Sequence, residues 1–426
     1  MIEADLAVVG ISELATPEGN SARIGPDLGR IRTVRDAAVA CRDGRIVFAG
    51  PEREFRQAVK LSPAARTVDA RGGTVLPGFV DAHTHLPFAG WRESEFNERL
   101  SGATYEEIAA RGGGILKTVA ATRAASLGDL TSLVRARLDA MLELGTTLVE
   151  AKSGYGLSFE AEIKQLEAIQ GGAQGHPVDV VPTFLGAHTV PLEHRGDRAR
   201  YIDAVVREML PEVAKRGLAA YADAFVDARA FSIGEARRIL GAAREAGLGV
   251  RVHADQLADD GAAQLAAELG AASADHLEYV SEAGVAALAR AGTVAVLLPG
   301  ARFFLMQEAK PPVRRLIEAG VPVAVATDFN PGTCPSEAMG TVLELACLTL
   351  RLSIDEAIAA ATLNAAAALG KAGETGSIEP GKRADLVVHA VPGRYHLIYR
   401  FGVRRVRTVI ASGRVVVDEG RILPRA

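Results

Sequence analysis

The sequence predicts an α/β protein, a (β/α)8 TIM barrel with a small β-sandwich domain built from both ends of the chain. Two observations support this fold class. Strand-like apolar runs alternate with helical segments through the middle of the chain, and each end carries the pattern of a β-hairpin. The 426 residues are more than one hydrophobic core usually serves. We therefore predict β-sandwich segments at 1–76 and 379–426 and a catalytic barrel at 77–378.

The barrel is predicted from the rhythm of the middle segment. Apolar runs such as "VDVVPTFLGAH", "GVRVHAD" and "VPVAVATDF" alternate with Ala- and Leu-rich stretches that end at glycine, as in "RRILGAAREAG" and "VAALARAG". Continuous apolar strands indicate a parallel sheet covered by helices, and glycine is the favoured residue just after a helix. An open doubly wound sheet is the alternative, but "ARGGGILKT" is not a G-x-G-x-x-G phosphate loop.

The small domain is predicted from the similarity of the two ends. "DAAVACRDGRIVFAG" places Asp43-Gly44 at a turn, and "VRTVIASGRVVVDEG" places Ser412-Gly413 at another. A two-stranded hairpin is only marginally stable alone. We therefore expect both ends to join one β domain that the barrel interrupts.

Composition excludes several classes of protein. The net charge of −4 and the absence of a dominant basic stretch give no reason to expect a nucleic-acid or membrane partner. The three cysteines lack C-x-x-C spacing, which favours reduced thiols over a disulfide framework. The start "MIEADLAVVG" does not resemble a signal peptide, and no apolar run reaches the ~18 residues of a membrane span. These features predict a cytoplasmic protein.

Polar residues stand where the predicted strands end. In a barrel enzyme the chemistry gathers at the carboxyl ends of the strands, so such residues are expected to meet. A single buried histidine is more often a core residue than a ligand. Six His or Asp residues, all at the same end of successive strands, favour a functional site instead. The strand-end residues are His83, His85, Lys152, Tyr155, His188, His253, His276 and Asp328.

Four of these residues suit a metal ion. His83, His85, His253 and Asp328 offer three imidazoles and a carboxylate, a set that fits zinc or iron. A metal there would lower the pKa of a water molecule from ~16 to about 7, which supplies a hydrolase with its nucleophile. Lys152 could be carbamylated and bridge two metals, or contact substrate or Glu150. Its place ahead of the His188 strand disfavours bridging, so we expect one metal.

The chain resembles the amidohydrolase superfamily nearly end to end. The resemblance is carried by "LPGFVDAHTHLPFAGWRESEF", "YEEIAARGGGILKT", "EAKSGYGL", "TFLGAHTVP", "HADQL", "ATDFNPGTCPSE" and "GSIEPGKRADLVV". H-x-H and "TD" mark only the superfamily. "GGGI", "KSGYGL" and "TDFNPG" in this order are similar to the members that hydrolyse 4-imidazolone-5-propanoate to N-formimidoyl-L-glutamate in histidine degradation.

The resemblance implies a set of functional residues. It implies one Zn2+ or Fe2+/Fe3+ per subunit on His83, His85, His253 and Asp328, and it suggests a homodimer. It also implies substrate contacts from Arg92, Tyr155, His188, Gln256, Asn330, Gly332 and Thr333. Arg92 offers a fork that can hold the propanoate carboxylate, although a surface ion pair within "WRESEF" is the alternative.

The residue that acts as general base is harder to assign from the sequence. Some relatives carry a glutamate after the metal-binding "HAD", but this chain has Gln256, which can orient a ring and cannot exchange a proton at neutral pH. The base role therefore falls to Asp328, with His276 as second candidate. His276 or His188 could stabilise the developing oxyanion.

Two other functions stay open. One is a deaminase of the cytosine or guanine type, which would bind the same metal but release ammonia from an aminated ring. The other is a catalytically inactive scaffold on the same fold, although such relatives usually lose metal ligands and all four are present here.

Overall fold

The computed structural model describes residues 1–103, 107–108 and 111–424. It contains two sheets, one from both ends of the chain and one from the middle. The predicted combination of a barrel and a small β domain is confirmed.

The terminal sheet has nine strands and is mostly antiparallel. The strands are β1 (Ile2–Thr16), β2 (Arg32–Arg42), β3 (Arg45–Pro51), β4 (Val59–Asp69), β5 (Thr74–Pro77), β14 (Leu386–His389), β15 (Val406–Ala411), β16 (Arg414–Asp418) and β17 (Arg421–Ile422). Their order in the sheet is β17-β16-β15-β14-β5-β1-β2-β3. The long strand β1 also pairs with β4, and its pairings with β4 and β5 are parallel.

Both predicted hairpins form. Asp43 and Gly44 turn with φ of 50° and 77°, and Ser412 and Gly413 turn with φ of 49° and 73°. Two consecutive positive φ values are typical of the type I′ turn, which matches the twist of the strands it joins. Ala384 ties the two turns together, since its N–H donates to Gly44 O and its carbonyl accepts from Gly413 N–H, both at 2.9 Å.

The barrel sheet has eight parallel strands in sequence order. They are β6 (Phe79–Asp81), β7 (Thr146–Lys152), β8 (Asp179–Ala187), β9 (Tyr221–Phe225), β10 (Gly249–Ala254), β11 (Ser273–His276), β12 (Val294–Leu297) and β13 (Val323–Val325). The first and last strands meet just beyond their ends. Asp328 N–H donates to His83 O at 3.0 Å and His85 N–H donates to Phe329 O at 2.9 Å. The barrel therefore closes at the segment that carries the predicted ligands.

Helices cover the barrel and also join the strands of the small domain. They are α1 (Glu52–Ala58), α2 (Glu93–Leu100), α3 (Ile115–Ala124), α4 (Leu127–Glu143), α5 (Phe159–Ala173), α6 (Arg198–Ala204), α7 (Leu210–Lys215), α8 (Ile233–Glu245), α9 (Ala262–Glu268), α10 (Glu282–Ala291), α11 (Pro299–Phe304), α12 (Val313–Glu318), α13 (Met339–Leu350), α14 (Ile354–Ala360), α15 (Leu363–Ala368) and α16 (Tyr395–Tyr399). A short π-helix (Val205–Met209) joins α6 to α7, and short 3-10 helices span Gly25–Gly29 and Leu192–His194.

Local sequence explains where several helices begin and end. Helices α4, α8 and α14 each begin with a capping box in which a serine and an acidic residue satisfy free backbone N–H groups. Helices α8 and α10 are followed by Gly247 and Gly292 with φ of 86° and 70°, as the glycine pattern predicts. Within the described residues, no helix combines the length and apolar character that crossing a membrane requires.

The small-sheet strands lie within 2–77 and 386–422, on either side of the barrel strands. Strand β5 of the small sheet ends at Pro77, one residue beyond the expected 76/77 boundary. The boundaries at 76/77 and 378/379 remain predictions.

Candidate active site

The predicted ligands converge at the carboxyl end of the barrel. His253 lies in β10, while His83, His85 and Asp328 follow the ends of β6 and β13 by a few residues. Strand β6 ends at Asp81, two residues before His83. The side chain of Thr84, between the two histidines, donates to Glu150 O at 2.6 Å, while both histidines join the cluster.

The cluster has the dimensions of a metal site. One ring nitrogen from each of His83, His85 and His253 lies within 4.8 Å of the others. Asp328 Oδ1 lies 3.5 Å from His83 Nε2 and 3.4 Å from His85 Nε2. His83 Nε2 is buried and has no hydrogen-bond partner among the described residues. A buried, unpartnered nitrogen at the centre of such a cluster is the arrangement that a metal ligand requires, so these four residues fit the predicted ion.

Burial favours the ligating form of the histidines. Desolvation holds the pKa of His83 well below its ordinary value and lowers the pKa of His85. Burial acts to raise the pKa of Asp328, but the hydrogen bond with His85 and the charge of His276 outweigh it and hold this pKa below its usual value. Neutral imidazoles and an ionised carboxylate are the forms that bind metal.

The backbone at the strand ends is strained. His276, the last residue of β11, has φ of 81°, and Asp328 has φ of 54°. Left-handed backbone is costly for residues other than glycine and clusters at functional sites. His276 joins His83 and Asp328 in a second group of possible ligand atoms within 4.8 Å. His276 therefore lies close enough to the cluster of candidate metal ligands to act beside it.

Tyr155 and His188 form one wall of the cluster. The His188 ring stacks on His85 with centroids 5.3 Å apart, and Tyr155 meets His188 at 5.3 Å. The loop that carries Tyr155 is held from below by Glu162, whose carboxylate accepts from the N–H groups of Gly154, Gly156 and Leu157. The "KSGYGL" motif therefore presents its tyrosine on a braced loop.

The loop after Asp328 is held by Asn330. The Asn330 amide donates to Asp328 O and to Thr333 Oγ1 at 2.6 Å each, and its oxygen accepts from the N–H groups of Gly332 and Thr333. The Thr333 hydroxyl reaches Asp328 Oδ2 at 3.3 Å. Since its polar atoms serve the loop, Asn330 shapes the site through neighbouring backbone.

Arg92 lies directly over this loop. A Cβ at position 332 would lie 1.2 Å from Arg92 Nη2, so the guanidinium occupies space that only glycine leaves free. Arg92 is half-buried, and its Nε has no hydrogen-bond partner in the described part of the chain. The ion pairs found among the described residues do not include Arg92.

The adjacent residues Asp255 and Gln256 differ in the hydrogen bonds that their side chains make. Asp255 accepts backbone N–H groups at the start of α9, from Ala262 at 3.0 Å and Ala263 at 3.1 Å. Gln256 is half-buried, and its side chain takes no part in the hydrogen bonds found among described residues.

The sequence interpretation missed a set of buried charges behind the histidines. Lys152 Nζ lies 2.8 Å from Glu150 Oε1 and 2.9 Å from Asp223 Oδ2, so Glu150, one of the contacts left open for this lysine, lies beside it. Asp223, Arg251 and Asp275 complete the set and are buried. Their sequence signal was available, because "YADAF", "VRVH" and "SADH" each place a charge inside an apolar strand.

The amidohydrolase family model matches residues 74–416, and the chain therefore belongs to the amidohydrolase family. Within that family it is similar to imidazolonepropionases. It is 53% identical to the imidazolonepropionase of Symbiobacterium thermophilum over 100% of both chains. It is 48% identical to that of Geobacillus kaustophilus over 96% of this chain and 97% of the other.

Solved structures agree on the fold. An adenosine deaminase from Xanthomonas campestris with bound zinc superposes with a TM-score of 0.73 at 20% identity, covering 100% of this chain and 95% of that one. N-isopropylammelide isopropylaminohydrolase from Burkholderia multivorans gives a TM-score of 0.70 at 21% identity, with 98% and 99% coverage. Their different reactions show that the fold alone does not define the substrate.

Proposed function

We propose that this chain hydrolyses 4-imidazolone-5-propanoate to N-formimidoyl-L-glutamate, a step of histidine degradation. The observation that carries the proposal is the buried cluster of His83, His85, His253 and Asp328, in a chain similar over its full length to imidazolonepropionases. The reaction breaks one ring C–N bond with one water molecule.

We propose that His83, His85, His253 and Asp328 hold one metal ion per subunit, zinc or iron. The ligand set suits both metals. When bound, the ion would polarise the ring carbonyl and lower the pKa of a water molecule. The unpartnered Nε2 of His83 and the short distances to Asp328 support this assignment.

The substrate is proposed to lie between the ligand cluster and Arg92, which lies over the loop that follows Asp328. Arg92 would pair with the propanoate carboxylate, which is the partner its planar fork fits best. Tyr155, His188 and Gln256 would contact polar ring atoms. Gly332 and Thr333 would contribute the loop that Asn330 holds in place, and the absence of a side chain at Gly332 lets Arg92 lie across it.

Asp328 is proposed as the proton carrier. Water adds to the ring carbonyl carbon, and Asp328 accepts the proton that the water loses. The C–N bond then breaks, and the ring nitrogen takes up the proton that Asp328 holds. The new carboxyl group releases the second proton of the water and becomes a carboxylate. His276, which lies in one group with Asp328 and His83, is the second candidate for moving this proton. His276 or His188 would stabilise the charge that develops on the carbonyl oxygen.

Three further properties remain proposals. We propose domain boundaries at 76/77 and 378/379, a cytoplasmic location and a homodimer. Sedimentation velocity on the purified protein would distinguish the dimer from a monomer.

The direct test is turnover. Purified protein of known metal content is incubated with freshly generated 4-imidazolone-5-propanoate, while absorbance reports loss of the ring and mass spectrometry reports N-formimidoyl-L-glutamate. We expect rapid conversion that a chelator abolishes and added zinc or iron restores. Lack of conversion by fully metal-loaded protein would contradict the substrate assignment, and release of ammonia from aminated rings would then favour a deaminase.

A further inference from the structure

Five charged side chains lie buried directly behind the metal cluster. Each is at most 1% exposed and lies within a strand of the barrel. Buried charges are costly unless they are paired, and they stabilise a fold less than apolar residues of similar volume often would. Their presence together at this end of the barrel calls for a reason beyond stability. The five are Glu150 and Lys152 on β7, Asp223 on β9, Arg251 on β10 and Asp275 on β11.

The first contact joins this set to His83. His83 Nδ1 lies 2.6 Å from Asp275 Oδ2, while the opposite nitrogen, Nε2, faces the cluster. Arg251 fixes the carboxylate from the other side, since its Nη2 lies 3.3 Å from the same oxygen. Arg251 Nη2 also donates to Ala82 O at 2.7 Å, so the same guanidinium holds the chain just before the H-x-H pair.

The second contact joins the set to His253. His253 Nδ1 lies 3.0 Å from Asp223 Oδ2, and the backbone N–H of His253 donates to Asp223 Oδ1 at 3.2 Å. Lys152 lies 2.9 Å from Asp223 Oδ2 and 3.9 Å from Asp275 Oδ2. One buried ammonium therefore stands between the two carboxylates that face the two histidines.

We propose that Asp275 and Asp223 are positioning residues that hold His83 and His253 with the proton on Nδ1 and Nε2 directed at the metal, with Arg251 and Lys152 holding the two carboxylates. A histidine that binds metal through one nitrogen needs its proton on the other, and a carboxylate facing that proton fixes both the tautomer and the ring. The proposal rests on the metal site proposed above.

His85 provides the contrast. Among the described residues, the one carboxylate found within 4.0 Å of a His85 ring nitrogen is that of Asp328, and it faces Nε2 rather than Nδ1. Two of the three imidazoles are therefore backed by a carboxylate and the third is not. The buried charges follow this division, because they lie behind His83 and His253.

The test measures zinc affinity. Asp275→Asn and Asp223→Asn keep the shape of the side chain but remove the carboxylate. Zinc dissociation constants are obtained by competition with a chromogenic chelator, starting from metal-free protein. We expect each variant to bind zinc about 10- to 100-fold more weakly than the unmodified protein. Values within twofold of the unmodified protein for both variants would overturn the proposal.

Asp255→Asn is the matched control. Asp255 is also buried and lies two residues from His253, but its carboxylate holds the start of α9. A purely structural role for a buried aspartate therefore predicts a lower Tm and an unchanged zinc affinity, as expected for Asp255→Asn. If Asp275→Asn and Asp223→Asn behave in this same way, the five charges serve the fold and the proposal fails.

A second measurement does not depend on folded variants. The chain has nine histidines, so selective 15N labelling gives a small set of imidazole signals. In zinc-loaded protein we expect His83 and His253 to carry their protons on Nδ1, and protons on Nε2 would overturn the assignment. Absence of zinc binding by the unmodified protein would instead refute the proposed metal site itself, which separates the two failures.

Discussion

The two halves of the site are built differently. The metal half lies at strand ends, where His83, His253 and Asp328 are buried. A carboxylate from a neighbouring strand lies beside His83 and another beside His253. The loop half consists of Arg92 and Gln256, which are half-buried and lack equivalent support from buried carboxylates among the described residues.

From this difference we propose different tasks for the two halves. Precise placement of ligands requires rigid surroundings, and barrel strands with buried hydrogen bonds supply them. A half-buried arginine on a loop retains the freedom to meet a flexible substrate tail. We therefore expect changes in the metal half to affect metal retention and kcat, and changes in the loop half to affect KM.

The largest effect is expected from the metal half. Asp328→Ala removes both a proposed ligand and the proposed base, so we expect kcat to fall about a thousandfold or more, with loss of bound metal. Metal analysis and steady-state kinetics on the same preparation measure both. Full activity in this variant would refute the place of Asp328 in the site.

The next effect tests the loop half. Arg92→Ala should raise KM roughly 10- to 100-fold with a much smaller change in kcat, because a hydrogen-bonded charge pair contributes about 1.5–3 kcal/mol. Metal content should stay unchanged, in contrast to Asp328→Ala. An unchanged KM would return Arg92 to the alternative of a surface residue.

A smaller effect is expected from a substitution that displaces the Arg92 guanidinium and leaves its charge in place. Gly332→Ala places a methyl group 1.2 Å from the present position of Arg92 Nη2, so the arginine must move. Gly332 does not have positive φ, and alanine therefore adds no backbone strain there. We expect KM to rise about tenfold, since the charge is displaced and not removed.

Two further variants make this prediction specific. Gly340→Ala is the matched control, because a Cβ at that position of α13 would meet nothing within 4 Å. In the double variant, Gly332→Ala should add little to Arg92→Ala, since both act through one side chain. Additive effects on KM would show that Gly332 acts on substrate independently of Arg92.

The fold and the ligand cluster were open to prediction because each rests on a local pattern. Asp43-Gly44 and Ser412-Gly413 are turn residues that specify their own backbone, and apolar strands alternating with helices favour a barrel. Barrel topology then brings strand ends together, so His83, His253 and Asp328 could be grouped although they are far apart in the chain. These inferences needed no knowledge of side-chain contacts.

The supporting residues could not be assigned in the same way. The spacing of Asp223 and Asp275 does not reveal that they face His253 and His83, because that depends on the stagger of neighbouring strands. The use of Asn330 within its own loop likewise depends on a turn that the motif "TDFNPG" does not specify. Pairings across strands are set by tertiary packing, which a single sequence leaves open.

The smallest effect is expected at Gln256. Gln256→Glu introduces a carboxylate where some relatives carry one, but the proposed base is Asp328, so we expect kcat to change less than about tenfold.

The informative measurement adds Asp328→Asn, which retains an oxygen that can face the metal, both to the unmodified protein and to the Gln256→Glu variant. Activity should fall by about 100-fold or more in both backgrounds if Asp328 moves the proton. If the fall disappears in the Gln256→Glu background, the introduced carboxylate can carry the proton, and the assignment of the base by exclusion of Gln256 would be wrong. Metal content measured alongside separates loss of the ion from loss of the base, so the experiment also decides whether the loop half contributes to kcat or only to binding.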